Sequence, residues 1–329
     1  MKKINNFWYK LKDAGKPILA LAPMAGFTNS SFRIICKDQG ADVLYSEMAS
    51  VAALYYEGKK NSQKNSAEIT KDLLKFDKKL ERPYVVQLFG SDPIHFALAA
   101  KKVSEEMKPD GIDINFGCPV AKVVKQGAGA SLMQDLIRSR AVIEAVLANT
   151  KLPVSIKIRA ASGKVSALDF LKNISDLNIS ALMIHGRTFK QGFTGDVDHK
   201  LVREARKYFK GVILTNGGIN HLMSAQQALI DSEADGLGLA RGVLGRPWLF
   251  SEIKDNQEYK LSHDEIFGLM IRQAKLLVKA KGEEALVELR KHLAWYAQGL
   301  KNAKFLREGL VKVESIKEIK KVIDDYKKL

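Results

Sequence analysis

Eight short, almost uninterrupted apolar runs alternate with longer segments of helical spacing between residues 18 and 240, and few folds accept that pattern. The runs lie at residues 18–22, 43–47, 84–89, 111–115, 154–158, 181–185, 212–216 and 236–240. A strand that is apolar on both faces must be covered on both, as in a parallel sheet flanked by helices. The stretches between fit that requirement. Residues 94–107 bring Phe96, Leu98, Ala99, Val103 and Met107 near helical spacing, and residues 136–147 can set Ile137, Val142, Ile143, Val146 and Leu147 on one face. Eight βα units in roughly 250 residues predict an α/β chain built as a (β/α)8 TIM barrel. A doubly wound sheet is the alternative, but no GxGxxG follows the first run.

After about Asn256 the strand signals stop, and residues 262–281, 283–300 and 313–328 read as helices. The expected organisation is a catalytic barrel over residues 1–252 and a small all-α domain over residues 253–329. Of the formal charge of +16, residues 256–329 hold 16 Lys+Arg against 11 Asp+Glu, which leaves +11 for the rest. Basicity is therefore spread over both parts, and a polyanion is the partner that uses it, although lysine-rich solvated faces give the same total. Arg290, Lys291, Lys301, Lys304 and Arg307 are candidate phosphate contacts.

No apolar run approaches the roughly 20 residues of a membrane span. The opening Met1-Lys2-Lys3-Ile4-Asn5-Asn6-Phe7-Trp8 lacks the apolar core of a leader, so the expectation is a cytoplasmic protein without membrane association. Two cysteines, Cys36 and Cys118, are too few for a thiolate zinc site, and the histidines show no HxxxH or HExxH spacing, so no metal is expected.

In a barrel of this kind the strands deliver their carboxyl-end residues to one mouth. Here these are Pro23-Met24-Ala25, Glu47, Gln87, Asn115 with Cys118, Lys157 with Arg159, His185 with Arg187, Asn216-Gly217-Gly218 and Ala240-Arg241-Gly242. The last two sets follow strands seven and eight, where glycine-rich turns commonly hold a phosphate. No GxxxxGK[ST] is present, which favours a phosphorylated cofactor across the mouth over a nucleoside triphosphate. Gln87, Asn115 and Lys157 suit the edge of a flavin ring, with Lys157 facing the charge of its reduced form. Each has a plainer reading as well: Gln87 paired with backbone, Asn115 capping a turn, and Lys157 ion-paired with Glu47.

Cys118 stands between Gly117, which permits a tight bend, and Pro119. A free thiol titrates near about pH 8.5, so an unperturbed Cys118 keeps its proton at neutral pH and can donate it. Cys36, on an apparent helix, reads as a small buried hydrophobe. The segment 122–130, with two lysines and two glycines, has the composition of a lid.

Taken together, these residues resemble the tRNA-dihydrouridine synthases, most closely their bacterial B-like branch. The carriers are Ala22-Pro23-Met24-Ala25-Gly26, Gln87-Leu88-Phe89-Gly90, Asn115-Phe116-Gly117-Cys118-Pro119, Lys157-Ile158-Arg159, His185-Gly186-Arg187-Thr188, Asn216-Gly217-Gly218-Ile219 and Gly245-Arg246-Pro247-Trp248-Leu249-Phe250, in family order. The resemblance implies an FMN enzyme, recharged by NADPH, that reduces the C5=C6 bond of a uridine in tRNA. Hydride would pass to C6, and Cys118 would protonate C5. It assigns FMN contacts to Pro23, Met24, Ala25, Gln87, Lys157, His185, Asn216, Gly217, Gly218, Ala240 and Arg241. Asn115, Arg159 and Arg187 would serve the target base, and the C-terminal helices the tRNA. A monomer is expected. The chain departs from the family at Ala160-Ala161-Ser162, where a glycine is usual, at His199, where an aromatic is common, and at Gly218, often Asp. A base buried in a tRNA fold must be extruded to reach a flavin, which a basic surface assists. Two alternatives are a dihydroorotate or dihydropyrimidine dehydrogenase acting on a free base, and a catalytically silent tRNA-binding barrel. Neither the uridine reduced nor the choice of NADPH over NADH is written in these motifs.

Overall fold

Each expected apolar run becomes a barrel strand, because each is shielded from water on both faces. The computed structural model describes residues 6–57 and 64–329; the opening Met1-Lys2-Lys3-Ile4-Asn5 lies outside the described residues. The strands are β1 (Ile18–Leu21), β2 (Val43–Ser50), β3 (Tyr84–Phe89), β4 (Gly111–Asn115), β5 (Val154–Arg159), the short pair β6 (Ala161–Ser162) and β7 (Val165–Ser166), then β8 (Ala181–His185), β9 (Val212–Asn216) and β10 (Gly236–Leu239). Apart from the antiparallel β6–β7 hairpin, they close in the parallel order β1-β2-β3-β4-β5-β8-β9-β10, with β10 pairing back onto β1. Helices such as Pro93–Lys102 and Leu136–Ala148 pack outside.

β2 runs further than expected, to Ser50, because its register against β3 shifts between Tyr45 and Met48. At that bulge the Ser46 hydroxyl accepts the Gln87 backbone N–H at 2.9 Å, which replaces a ladder bond at the level of the mouth. Beyond the expected elements, the helix Phe7–Asp13 carries the fully buried Trp8 into the inward-facing cluster with Ile18, Val43 and Val212. Asn6 caps this helix by accepting the Trp8 N–H at 3.0 Å.

The C-terminal part forms the helices His263–Lys281, Leu286–Tyr296, Ala303–Leu310 and Ile316–Tyr326 around a second apolar cluster that includes Trp248. Ser262 is the cap of the first helix, in a reciprocal pair with Glu265, rather than its first residue. The expected helix 283–300 is shorter, since Gly299 turns to φ +83°. A separate helix, Ala303–Leu310, buries Leu306 and Leu310. Residues 252 and 253 both lie within the helix Leu249–Asp255, where buried Glu252 binds Arg246 at 2.8 Å and accepts the Tyr259 N–H at 2.9 Å.

These helices sit against the first βα unit. The His292 ring lies 4.7 Å from that of Phe32 and 5.5 Å from that of Phe27, and Arg272 pairs with Asp38. At Gly245, φ is +70° and an added Cβ would lie 2.3 Å from the Trp295 carbonyl oxygen, so the two main chains touch directly.

Candidate active site at the barrel mouth

The carboxyl ends of the barrel strands open into a cavity of about 920 Å³, roofed by Ile266, Trp295, Tyr296 and Gln298. Pro23, Met24, Ala25, Gln87, Asn115, Cys118, Lys157, Arg159, His185, Arg187, Asn216, Gly217, Gly218, Ala240 and Arg241 all line it. Of the strand-end residues named from sequence, all but Glu47 are thus in one place, as the barrel topology requires. The C-terminal lysines stand apart. Lys301, Lys304 and Arg307 are exposed, whereas Arg290 donates to the carbonyls of Lys312 and Val313 at 3.0 Å and acts as a tie between helices. Lys291 lies 5.3 Å over the Phe27 ring.

The bend at Cys118 is made by a side chain rather than by Gly117, which does not adopt a positive φ. Asn115 Oδ1 accepts the N–H of Gly117 at 3.0 Å and of Cys118 at 2.9 Å, an Asx-type turn. From the other side Gly129, at φ +61°, packs so closely that an added Cβ would be 2.8 Å from the Cys118 carbonyl oxygen. The lid-like segment is folded as well: Ala121–Val124 form a helical turn, and the Gln126 carbonyl accepts Ser91 Oγ–H at 2.9 Å. Burial raises the Cys118 thiol, while the Val120 backbone, Arg159 and Lys157 favour its thiolate.

Asn115 is also held from below. Its Nδ2 donates to Gln87 Oε1 at 2.8 Å, and Gln87 Nε2 donates to Asp113 Oδ2 at 2.7 Å. Ser155 Oγ donates to Asp113 Oδ1 at 2.6 Å. Asp113 has no exposure, and burial moves it up to about 6 against the pull of Ser155, Gln87 and Lys157.

Four cations converge on the mouth. Burial, then the neighbouring Arg159, lowers Lys157 to about 8. Among the described residues its ammonium has no hydrogen-bonded or ion-paired partner; Glu47, the partner considered from sequence, instead accepts the Gly26 N–H. Arg159 is largely committed, with Nε donating to the Gly117 carbonyl at 2.7 Å and Nη1 to those of Thr188 at 3.0 Å and Gly192 at 2.8 Å. Arg187 Nε donates to the Gly195 carbonyl at 2.8 Å and Nη1 stands 3.5 Å from His185 Nε2, so among the described residues only Nη2 has no partner. Burial, followed by the fields of Lys157, Arg159, Arg187 and Arg241, pushes His185 down to about 2, so its imidazole is neutral. Positive charge of this density in a partly closed cavity calls for an anion.

The remaining ligands are shaped by backbone. Asn216 Nδ2 donates to the Gly238 carbonyl at 2.6 Å, which fixes the turn carrying Gly217 and Gly218. Both glycines have positive φ, and an added Cβ at Gly217 would be 2.6 Å from the His185 ring. Among the described residues no group accepts their backbone N–H. After Ala240, Arg241–Val243 form a 3-10 turn whose start has no side-chain cap. Free N–H groups on glycine turns, an open arginine and an unpartnered ammonium are a donor set that fits a phosphorylated flavin.

Several lining residues escape sequence reasoning. Phe193 is 53% exposed, with Arg241 4.4 Å and Arg159 5.7 Å from its ring centre; an aromatic beside Gly192 in a strand-end loop was its only local signal. Met48 enters the cavity through the β2 bulge, and Trp295 and Gln298 come from the roof. Of the departures noted in sequence, Ala161 and Ser162 form β6, and His199 Nδ1 meets Thr215 Oγ1 at 2.8 Å. Among the described residues no cluster of three His, Cys, Asp or Glu could hold a metal, and no helix is long and apolar enough to cross a membrane.

Residues 20–329 match the family model described as dihydrouridine synthase. The chain is 30% identical over 311 residues to a "Probable tRNA-dihydrouridine synthase" of Aquifex aeolicus, covering 93% of this chain and 95% of that one. It is 33% identical over 293 residues to a protein of the same name from Rickettsia bellii, covering 87% of each. Among solved structures, histamine dehydrogenase from Rhizobium shares the fold, with a TM-score of 0.53 and 11% identity over 79% of this chain and 49% of that one.

Proposed function

The chain belongs to the dihydrouridine synthase family, and we propose that its barrel mouth binds FMN and reduces the C5=C6 bond of a uridine extruded from tRNA. It is a flavin-dependent oxidoreductase acting on tRNA; FMN as the particular flavin, NADPH as reductant and the residue roles below are the finer reading. The observation that carries this reading is the convergence of Lys157, Arg159, Arg187 and Arg241 around a neutral His185, in one cavity with a protonated thiol.

The phosphate of FMN would rest on the N–H groups of Gly217, Gly218 and the turn after Ala240, with Arg241 as counter-charge. Pro23, Met24, Ala25, Gln87, Lys157, His185 and Asn216 would contact its ring and ribityl chain. When bound, the flavin supplies hydride for uracil C6. Lys157 would lie beside the ring, where its unpartnered ammonium would offset the negative charge of the reduced flavin. Cys118 holds its proton because the thiol is raised, and gives it to C5; Arg159, Lys157 and the Val120 backbone then receive the thiolate. Arg187 is the arginine free to grip the base. Asn115 and Arg159, whose donors are mostly committed, hold the loop on which Cys118 stands.

The C-terminal helices, residues 253–329 in the division proposed here, form the tRNA-binding part, and the protein works as a cytoplasmic monomer. A free-base dehydrogenase would not need this charged roofed mouth, and a silent tRNA-binding barrel would not need a raised thiol beside four cations. The test is direct. Purified protein should be yellow, oxidise NADPH and form dihydrouridine in tRNA lacking the modification, whereas Cys118→Ala should keep flavin and NADPH oxidation but form at least about a hundredfold less product. Unchanged product in that variant would refute the acid role, and absence of flavin from the wild-type protein would refute the reading as a whole.

A further inference from the structure

Asp113 lies beneath the mouth, on β4, and touches none of the cavity. It is the only charged end of a one-way chain of hydrogen bonds that finishes at the Cys118 turn. We propose that Asp113 is a positioning residue for proton transfer, whose carboxylate sets the direction of the Gln87 and Asn115 amides and so holds the Cys118 backbone in place. The proposal rests on the reading of Cys118 as the acid.

An amide side chain has a donor end and an acceptor end, and nothing intrinsic tells it which way to face. A carboxylate only accepts. Because Asp113 Oδ2 takes the 2.7 Å bond from Gln87, it must be met by Nε2, which turns Oε1 upward. Oε1 can be met only by a donor, so Asn115 presents Nδ2 at 2.8 Å and its own Oδ1 is left facing the N–H groups of Gly117 and Cys118. The bulge locks Gln87 from behind, since its backbone N–H goes to Ser46 Oγ at 2.9 Å. The other Asp113 oxygen is filled by Ser155 at 2.6 Å, so the carboxylate has no competing donor to turn toward. One charge thereby decides two amide orientations and one turn. An asparagine in place of this aspartate has the same shape but can offer its NH2 to Gln87 Oε1, which permits the whole chain to reverse. A reversed Asn115 would point NH2 at two backbone N–H groups and release the turn.

The experiment uses the flavin-loaded protein and reads Cys118 separately from turnover. For Asp113→Asn, alkylation of Cys118 by iodoacetamide, mapped by peptide mass, should accelerate about tenfold or more as the turn loosens, which corresponds to about 1.4 kcal/mol. Single-turnover formation of dihydrouridine should fall by a similar factor. The double variant Asp113→Asn/Gln87→Glu moves the carboxylate one residue along the chain: the amide introduced on β4 and Asn115 Nδ2 would both donate to it. Its alkylation rate should return to within about twofold of wild type, an outcome a merely structural aspartate would not produce. Should Asp113→Asn not fold, Gln87→Met cuts the chain one step later and should give the same acceleration.

Wild-type alkylation in Asp113→Asn, or in Gln87→Met where that variant is used, overturns the proposal, as does a double variant no slower than the single. Failure of the wild-type protein to make dihydrouridine would instead refute the functional reading, while the alkylation comparison still tests the relay.

Discussion

Lys157 should be a residue whose loss stabilises the flavin-free protein. Its ammonium is held in the barrel mouth, where burial and Arg159 lower it from 10.5 to about 8. The folded state therefore disfavours the charged form relative to the unfolded chain. Below pH 8 that penalty is fully present. Between 8 and 10.5 the unfolded chain binds more protons than the folded one, so stability rises with pH, and above 10.5 both forms are neutral and the penalty is gone. A shift of this size corresponds to roughly 3 kcal/mol at neutral pH. The attraction of Asp113 opposes the shift and is already within it. Lys157→Met keeps the stem volume and removes the charge. Urea unfolding of flavin-free protein should show the variant about 2–3 kcal/mol more stable at pH 7, a gap that closes as pH approaches 10.5. In the presence of saturating reduced flavin the order should invert, because its anionic edge gives the ammonium its missing partner. A variant less stable than wild type at pH 7 would show that the ammonium carries no burial penalty, and the argument for an anion at this spot would fall with it.

Two further predictions concern the thiol loop and the outer surface. Gly129→Ala should lower product formation about tenfold or more with flavin content unchanged, since its Cβ would meet Cys118 at 2.8 Å and a positive φ costs an alanine roughly 1–2 kcal/mol; circular dichroism and turnover on the same sample separate folding from chemistry. Reversing Lys301 and Lys304 to glutamate should weaken tRNA binding and flatten its salt dependence, measured by filter binding over a salt series, while flavin content stays at the wild-type level.

The barrel was legible in the chain because a strand buried on both faces leaves an unbroken apolar run, a local signature that survives any tertiary context. The mouth was legible for a related reason: once strand ends are placed, topology alone gathers Gln87, Asn115, Lys157 and His185. What the one-dimensional pattern cannot carry is who supports whom. Asp113 read as one more residue of a strand, and its role depends on Ser155 from the next strand and Gln87 from the one before. Gly117 looked like the source of the bend, yet Asn115 makes it and Gly129, from beyond the next helical turn, confines it. The roof is further removed still, since Trp295 and Gln298 reach the cavity only through packing of helices against the first βα unit.

The main-chain contact between Gly245 and Trp295 separates two kinds of change. At that point the spacing between roof and barrel is set by main chain alone, so substitutions across the outer faces of the C-terminal helices change the exposed surface without altering that contact. The outer surface can drift in such a molecule while the chamber keeps its dimensions. A bulkier residue in place of Gly245 would couple the two, since lifting the roof there would change the outer surface and the chamber in one step.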